Sequence, residues 1–276
     1  MAIVTLPGGW VDVRAITGHD ENRIAQGDSS GSLIGALTLI DCLMVERPGA
    51  VAGPGDAADL TSATRDRLLC AIYDQIYGDL VVSSPKCGQC AHPFDLSFSL
   101  QRVLEDFPMA PLPADGVYES PAGVPFRLPT GRDELAILGL PAAGARATLL
   151  NACLSVRGAQ GHTQSLSAAE CEAIEAAMEA VAPLINLELI AECPDCGFRQ
   201  KIRFDIGAYL LGRLRADHAR LASDVHVLAL TYHWGLNEIL SLSRAERGRY
   251  RMLIEADANR ARLRATSGGR TRSRIG

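Results

Sequence analysis

Apolar positions along the chain recur with two different periods, and the switches between them predict its elements. Spacings of three and four place helices over 61–77 and 167–181, and a further stripe of Leu221, Val225, Leu228 and Tyr232 marks an amphipathic helix near the C-terminus. Gly235 ends that helix, a short helix carries Ile239 and Leu240, and Ser243 caps a third helix whose apolar residues are Tyr250, Leu253 and Ile254. Alternation of Ile202 and Phe204 with Lys201 and Arg203 predicts a half-buried strand. Leu187, Leu189 and Ala191 alternate less regularly and predict its partner.

The pattern repeats itself. Arg14-Ala15-Ile16-Thr17-Gly18-His19-Asp20-Glu21 and Arg127-Leu128-Pro129-Thr130-Gly131-Arg132-Asp133-Glu134 both fit R-x-x-T-G-x-D-E. Cys42-Leu43 then corresponds to Cys153-Leu154, Leu60-Thr61 to Leu166-Ser167, Cys87-x-x-Cys90 to Cys193-x-x-Cys196, and Phe94-Asp95-Leu96 to Phe204-Asp205-Ile206. Five landmarks in one order predict an α+β fold built from two duplicated units. Each runs strand, T-G-x-D-E turn, helix, buried helix, small-residue loop (48–59 and 158–164), helix, strand, Cys-x-x-Cys turn and strand, closed by a helix opened at Asp95 or Asp205. The expected organisation is a first repeat over 1–112, a Pro-rich linker over 108–125, a second repeat over 118–218, a helical docking module over 219–258 and a basic disordered tail over 259–276. The repeats are expected to face each other about a pseudo-twofold axis.

The chemistry concentrates in the cysteines. Cys193-Pro194-Asp195-Cys196-Gly197 can hold one ion from a tight turn, and the Gly permits the backbone conformation that turns amides toward sulfur. Cys87-Gly88-Gln89-Cys90 is the weaker signal because Ala91 stands where that Gly would be. A tetrahedral zinc needs four ligands and each repeat supplies two, so the count is met by one structural zinc shared by Cys87, Cys90, Cys193 and Cys196. Closing a loop of roughly 100 residues in this way stabilises the pair of halves by several kcal/mol. Three alternatives stand beside this: zinc bound between two chains, a redox dithiol, and unliganded cysteines left from an ancestral site. Cys42, Cys70, Cys153 and Cys171 lie in apolar helical stretches and read as core thiols.

The paired acids Asp20/Glu21 and Asp133/Glu134 invite an acid–base reading, but Thr17-x-x-Asp20 and Thr130-x-x-Asp133 fit helix capping boxes, as do Ser167-x-x-Glu170 and Ser243-x-x-Glu246. The run Gly27-Asp28-Ser29-Ser30-Gly31 is read as a polar loop rather than a nucleophile, and His218, His226 and His233 as surface or packing residues. There is no Walker loop, H-E-x-x-H or G-x-S-x-G, and the expectation is a protein that is not an enzyme.

Composition changes this picture little. The chain has 276 residues, 47% hydrophobic, only 5% aromatic, and a net charge of −5, so the core must be chiefly aliphatic. Six arginines between 260 and 274, with no acid beyond 258, leave the remaining body distinctly acidic. That balance argues against a dedicated nucleic-acid binder. The N-terminus lacks the pattern of a secretory signal, and the most apolar run, 32–45, is broken by Asp41 and too short to cross a bilayer. A soluble cytoplasmic protein without membrane partners is expected.

Tyr232-His233-Trp234, then Glu238-Ile239-Leu240 and Leu242, followed by an Arg-rich helix and Tyr250, resembles the T4-type phage baseplate hub assembly chaperone family and proteins encoded beside contractile injection system genes. The R-x-x-T-G-x-D-E and Cys-x-x-Cys pattern upstream is similar to larger members of that family. The resemblance implies an assembly or structural protein of a tail-like machine, free or incorporated into the particle, that binds baseplate hub, spike or tape-measure proteins. His233, Trp234, Glu238, Ile239 and Leu240 would face that partner. Two other functions remain on the sequence: a zinc- or thiol-dependent oxidoreductase-like enzyme, and a nucleic-acid-binding zinc module.

Overall fold

A computed structural model describes residues 2–27, 32–154 and 166–268. The chain divides into two compact units: unit 1 comprises Met1–Arg14 and Asp28–Gly212, unit 2 comprises Ala15–Gly27 and Arg213–Gly276. Both Cys-x-x-Cys segments therefore belong to unit 1. Residues 15–27 leave the first expected repeat to join the C-terminal helices.

In chain order the elements are β1 (Ala2–Leu6), β2 (Gly9–Val13), α1 (Gly18–Gln26), α2 (Ser32–Leu43), β3 (Met44–Arg47), β4 (Ala50–Val51), a 3-10 turn (Asp56–Asp59), α3 (Ser62–Tyr77), β5 (Leu80–Ser83), β6 (Leu96–Ser99) and α4 (Leu100–Asp106). They continue with β7 (Tyr118–Glu119), β8 (Pro125–Phe126), α5 (Gly131–Ala136), α6 (Ala142–Leu154), α7 (Ala168–Val181), β9 (Asn186–Glu192), β10 (Arg199–Asp205), α8 (Ile206–Ala216), α9 (His218–Tyr232), α10 (Leu236–Ser241) and α11 (Arg244–Gly268). The result is a mixed α and β structure with small antiparallel sheets.

In unit 1, β1–β4 form an antiparallel sheet in sequential order, with Val4 opposite Val11. Beside it lies a core of Leu39, Ile40 and Leu43 from α2 and Leu68, Leu69, Ile72 and Tyr73 from α3, all almost fully buried. These aliphatic faces supply the burial that the scarce aromatics cannot. A second cluster joins Phe126, Leu128, Leu150, Leu154 and Ile174. Tyr118, Met109 and Ala110 belong to it, so the Pro-rich stretch expected as a linker is packed structure carrying the β7–β8 hairpin. Its prolines fit because each of these two-residue strands has a single partner.

The two cysteine hairpins are built alike. β5 pairs with β6 and β9 with β10, and each hairpin leads into a helix. Leu100 N–H donates to the Asp79 carbonyl as Ile206 N–H does to the Ile185 carbonyl. This alignment is gap-free from Thr61/Ser167 through the cysteines, and it matches Phe98-Ser99-Leu100, not Phe94-Asp95-Leu96, with Phe204-Asp205-Ile206. The helix α4 is accordingly capped by the Ser99 hydroxyl rather than opened by Asp95, while Asp205 accepts from Ala208 N–H at the start of α8 as expected. Phe94 lies in the turn before β6, whereas Phe98 lies within β6.

Unit 2 packs α1, α9, α10 and α11 together. Leu221 and Leu228 of the expected α9 stripe are buried, and so is Asp224, one helical turn below Leu228. The basic stretch from 259 is helical as far as Gly268: its Ala and Arg residues are strong helix formers, with no Gly or Pro before that point. Residues 269–276, the Ser29-Ser30 loop and the small-residue loop over 158–164 lie outside the described residues.

Candidate metal centre

Each Cys-x-x-Cys segment folds as a knuckle at the tip of its hairpin, and the two knuckles share one hydrogen-bond scheme. Cys87 N–H donates to the His92 carbonyl at 2.9 Å and Ala91 N–H to the Cys87 carbonyl at 3.0 Å. Cys193 N–H donates to the Phe198 carbonyl and Gly197 N–H to the Cys193 carbonyl, both at 2.9 Å. Reversing the chain in so few residues requires a left-handed residue after the second cysteine. Gly197 supplies it at φ +71° and Ala91 at φ +62°. The amides thereby freed point at sulfur: Cys87 Sγ accepts from the amides of Gln89 and Cys90, Cys90 Sγ from His92, and Cys196 Sγ from Phe198.

The structure brings the four sulfurs together. Cys87 Sγ lies 3.6 Å from Cys196 Sγ and Cys90 Sγ 3.7 Å from Cys193 Sγ, and all four lie within 4.8 Å of one another. An ion bonded at about 2.3 Å to four tetrahedral sulfurs would hold them about 3.8 Å apart, so the donor set fits a tetrahedral thiophilic metal. None of the four is in a disulfide. Cys87 and Cys193 are buried with Phe94 and Ala191 in a small apolar cluster, against which Cys90, Leu96 and Ile202 pack.

The free thiols show why the cluster calls for a cation. Amide donation from Cys90, then from Gln89, outweighs burial and lowers the Cys87 thiol to about 6. The amide of Phe198 acts the same way on Cys196, but burial and the three neighbouring sulfurs together push that thiol up to about 12. The Cys87 thiolate forms readily, whereas the raised Cys90 and Cys196 thiols are helped to ionise by a positive charge between them.

Three further contacts hold the hairpins in register. The Gln200 side chain accepts from Gly88 N–H at 2.7 Å and donates to the Lys86 carbonyl at 3.1 Å. Phe98 meets Phe204 edge-to-face at 4.9 Å, and Tyr209 Oη donates to the Val82 carbonyl at 2.5 Å. On the solvent side His92 Nδ1 lies 3.1 Å from Asp195 Oδ2. Sequence reasoning missed the Gln200 clamp, which sits in the expected strand with nothing to distinguish it from a surface glutamine.

The candidate partner segment lies in unit 2 and divides sharply. Ile239 and Leu240 are buried, and α1 approaches α10 closely there, since a Cβ on Gly18 would come within 3.0 Å of Leu240 Cα. Glu238 is exposed but caps α10 by accepting from Gly235 N–H at 2.7 Å. Trp234 is half-buried, stacked on Tyr232 at 4.8 Å and set edge-on to Tyr250 at 4.9 Å. His233 is exposed, in the left-handed conformation that ends α9. Among the described residues, the large apolar side chains this unit exposes are Leu230, Leu236, Met252, Leu253 and Leu263.

The paired acids are structural. Asp20 and Asp133 close capping boxes with Thr17 and Thr130. Glu21 pairs with Arg247 at 2.5 Å, and Glu134 pairs with Arg65. Cys70 and Cys153 are buried, and burial pushes both thiols up to about 12, as inert core cysteines require.

Comparison of the chain with known protein families, with curated proteins and with solved structures yields no match.

Proposed function

We propose that this chain is a non-enzymatic assembly or structural protein of a phage-tail-like contractile machine, with one structural zinc as its internal staple. The convergence of four sulfurs from two knuckles carries the zinc and non-enzymatic parts of this reading. A site closed by four protein thiolates has the ligand set of a structural zinc and no open position for substrate. The tail role is supported by the resemblance over residues 232–250, not by the metal. The duplication belongs to the same proposal: the two knuckles with their matched hydrogen bonds, and the two T-G-x-D-E helix starts, are the remains of one ancestral unit used twice, with the zinc between the two knuckles.

The surface for hub, spike or tape-measure components is assigned to unit 2, to His233 and the rim of Trp234 together with the exposed Leu230 and Leu236. Metal analysis should find one tightly held zinc per chain with four-sulfur coordination, and fewer than four sulfurs with a bound water at that tightly held ion would favour the enzyme reading instead. For the tail role, deletion of the gene should abolish particle assembly, and Leu236→Asp should prevent co-purification with hub or tape-measure proteins. Normal particles in the deletion strain would end that part of the proposal.

A further inference from the structure

We propose a second, exchangeable divalent-cation position on the solvent side of the cysteine cluster, built from His92, Asp195 and the Cys90 thiolate, which it shares with the inner ion. This rests on the inner site holding a divalent metal. Cys90 Sγ, a ring nitrogen of His92 and a carboxylate oxygen of Asp195 lie within 4.8 Å of one another. Two ligands bonded at about 2.0 to 2.1 Å to a tetrahedral zinc stand about 3.3 Å apart; His92 Nδ1 and Asp195 Oδ2 stand at 3.1 Å. The set offers one sulfur, one nitrogen and one oxygen, and a water completes four-coordination.

Electrostatics favour a cation there. Four thiolates around a divalent ion leave a net double negative charge, and Asp195 adds another beside it. A thiolate keeps lone pairs after binding one zinc and can bridge to a second. Geometry gives the outer ion a way in: His92 and Asp195 are exposed and Cys90 is half-buried, on the same open side as the exposed Cys196 of the inner set, whose Cys87 and Cys193 are buried. His92 belongs to one knuckle and Asp195 to the other, so the outer ion straps the two tips together. It offers incoming zinc a landing place one ligand away from the four-sulfur site.

The test is a titration of the full-length protein with Zn(II), counting bound metal by mass spectrometry under native conditions, with Co(II) absorption reporting the ligands. Wild type should take one equivalent with intense sulfur-to-cobalt bands, then a second, weaker equivalent. His92→Ala and Asp195→Asn should each weaken the second by at least about 10-fold and leave the first equivalent and its four-sulfur bands unchanged. Saturation of wild type at one equivalent with those bands intact would overturn the outer site and leave the structural zinc standing. So would a second equivalent indifferent to both substitutions. Absence of any four-sulfur band would overturn both.

Discussion

Ala91 holds φ +62°, a conformation that costs a residue with a Cβ roughly 1 kcal/mol relative to glycine. The sister position uses Gly197 at φ +71°. Ala91→Gly should therefore raise the stability of the metal-free protein by about 1 kcal/mol, read as a shift in the denaturant midpoint without a change in slope. The entropy glycine regains in the unfolded chain makes this an upper figure. Asp133 offers a second test at this scale. Its carboxyl is lowered to about 2, first by the Arg127 guanidinium and then, against the opposing effect of burial, by the amide and hydroxyl of Thr130. A depressed folded-state pKa stabilises above the unfolded value near 3.8 and the benefit is lost as pH falls toward 2. Asp133→Asn should cost about 2 kcal/mol at pH 7, and urea titrations of the two proteins should converge by about pH 2. Both residues were legible in the sequence, Ala91 as the odd residue in a Gly position and Asp133 as a cap, because their roles depend on neighbours three or four positions away.

At the scale of elements, the T-G-x-D-E segments do more than start helices. Gly131 N–H donates to the Leu60 carbonyl and Ser62 N–H returns to Pro129, locking α5 against the start of α3; Gly18 N–H to Leu242 and Arg244 N–H to Ile16 do the same for α1 and α11. The glycine allows the approach, since a Cβ on Gly131 would lie 3.1 Å from Ala58 Cα. An ion pair seals each lock. Arg247 is fully buried against Glu21, whereas the Arg65–Glu134 pair remains partly exposed. Burial decides the ranking of the two glutamate-to-glutamine variants. Glu21→Gln leaves the fully buried Arg247 guanidinium with Asp224 at 3.5 Å as its remaining carboxylate and, with no solvent to compensate, should cost about 3 kcal/mol. Glu134→Gln leaves Arg65 with Asp66 and some solvent and should cost about 1 kcal/mol. Equal losses in thermal denaturation would show that the locks are not sealed by charge. The sequence displayed the repeated acids but not their pairing with arginines, because Arg65 and Arg247 are distant from those acids in the chain, although both stand four residues after a helix-capping Thr61 or Ser243. The same limit hides the burial of Ile239 and Leu240, an apolar pair beside a tryptophan whose packing depends on segments far away in the chain.

At the scale of the whole molecule, the one long-range feature the sequence carried was a ligand count. Two pairs of cysteines, each too few for a tetrahedral ion, had to meet if they were to bind one, and they do. Local motifs do not say which segments share a core; Phe98, Phe204 and Tyr209 join the two hairpins, and they read as ordinary strand and helix residues. The meeting of the sulfurs makes metal affinity a proton-linked quantity. At neutral pH Cys87, at about 6, is largely thiolate, while Cys196 at about 12 still holds its proton and Cys90 is also raised. An incoming ion must displace at least those two protons, so each unit of pH lowered should weaken binding by a factor of at least ~100 around neutrality. Below about 6 Cys87 is itself protonated and the dependence steepens further. The folded state with metal therefore gains stability as pH rises, opposite to the trend for a raised histidine. Competition with a chromophoric chelator at pH 6.5, 7.0 and 7.5 measures the slope directly. A slope near zero would mean that the sulfurs are already ionised or do not bind the ion, and Gln200→Ala should lower the affinity about 10-fold while leaving the slope in place, because the clamp sets the register of the knuckles and holds none of the protons.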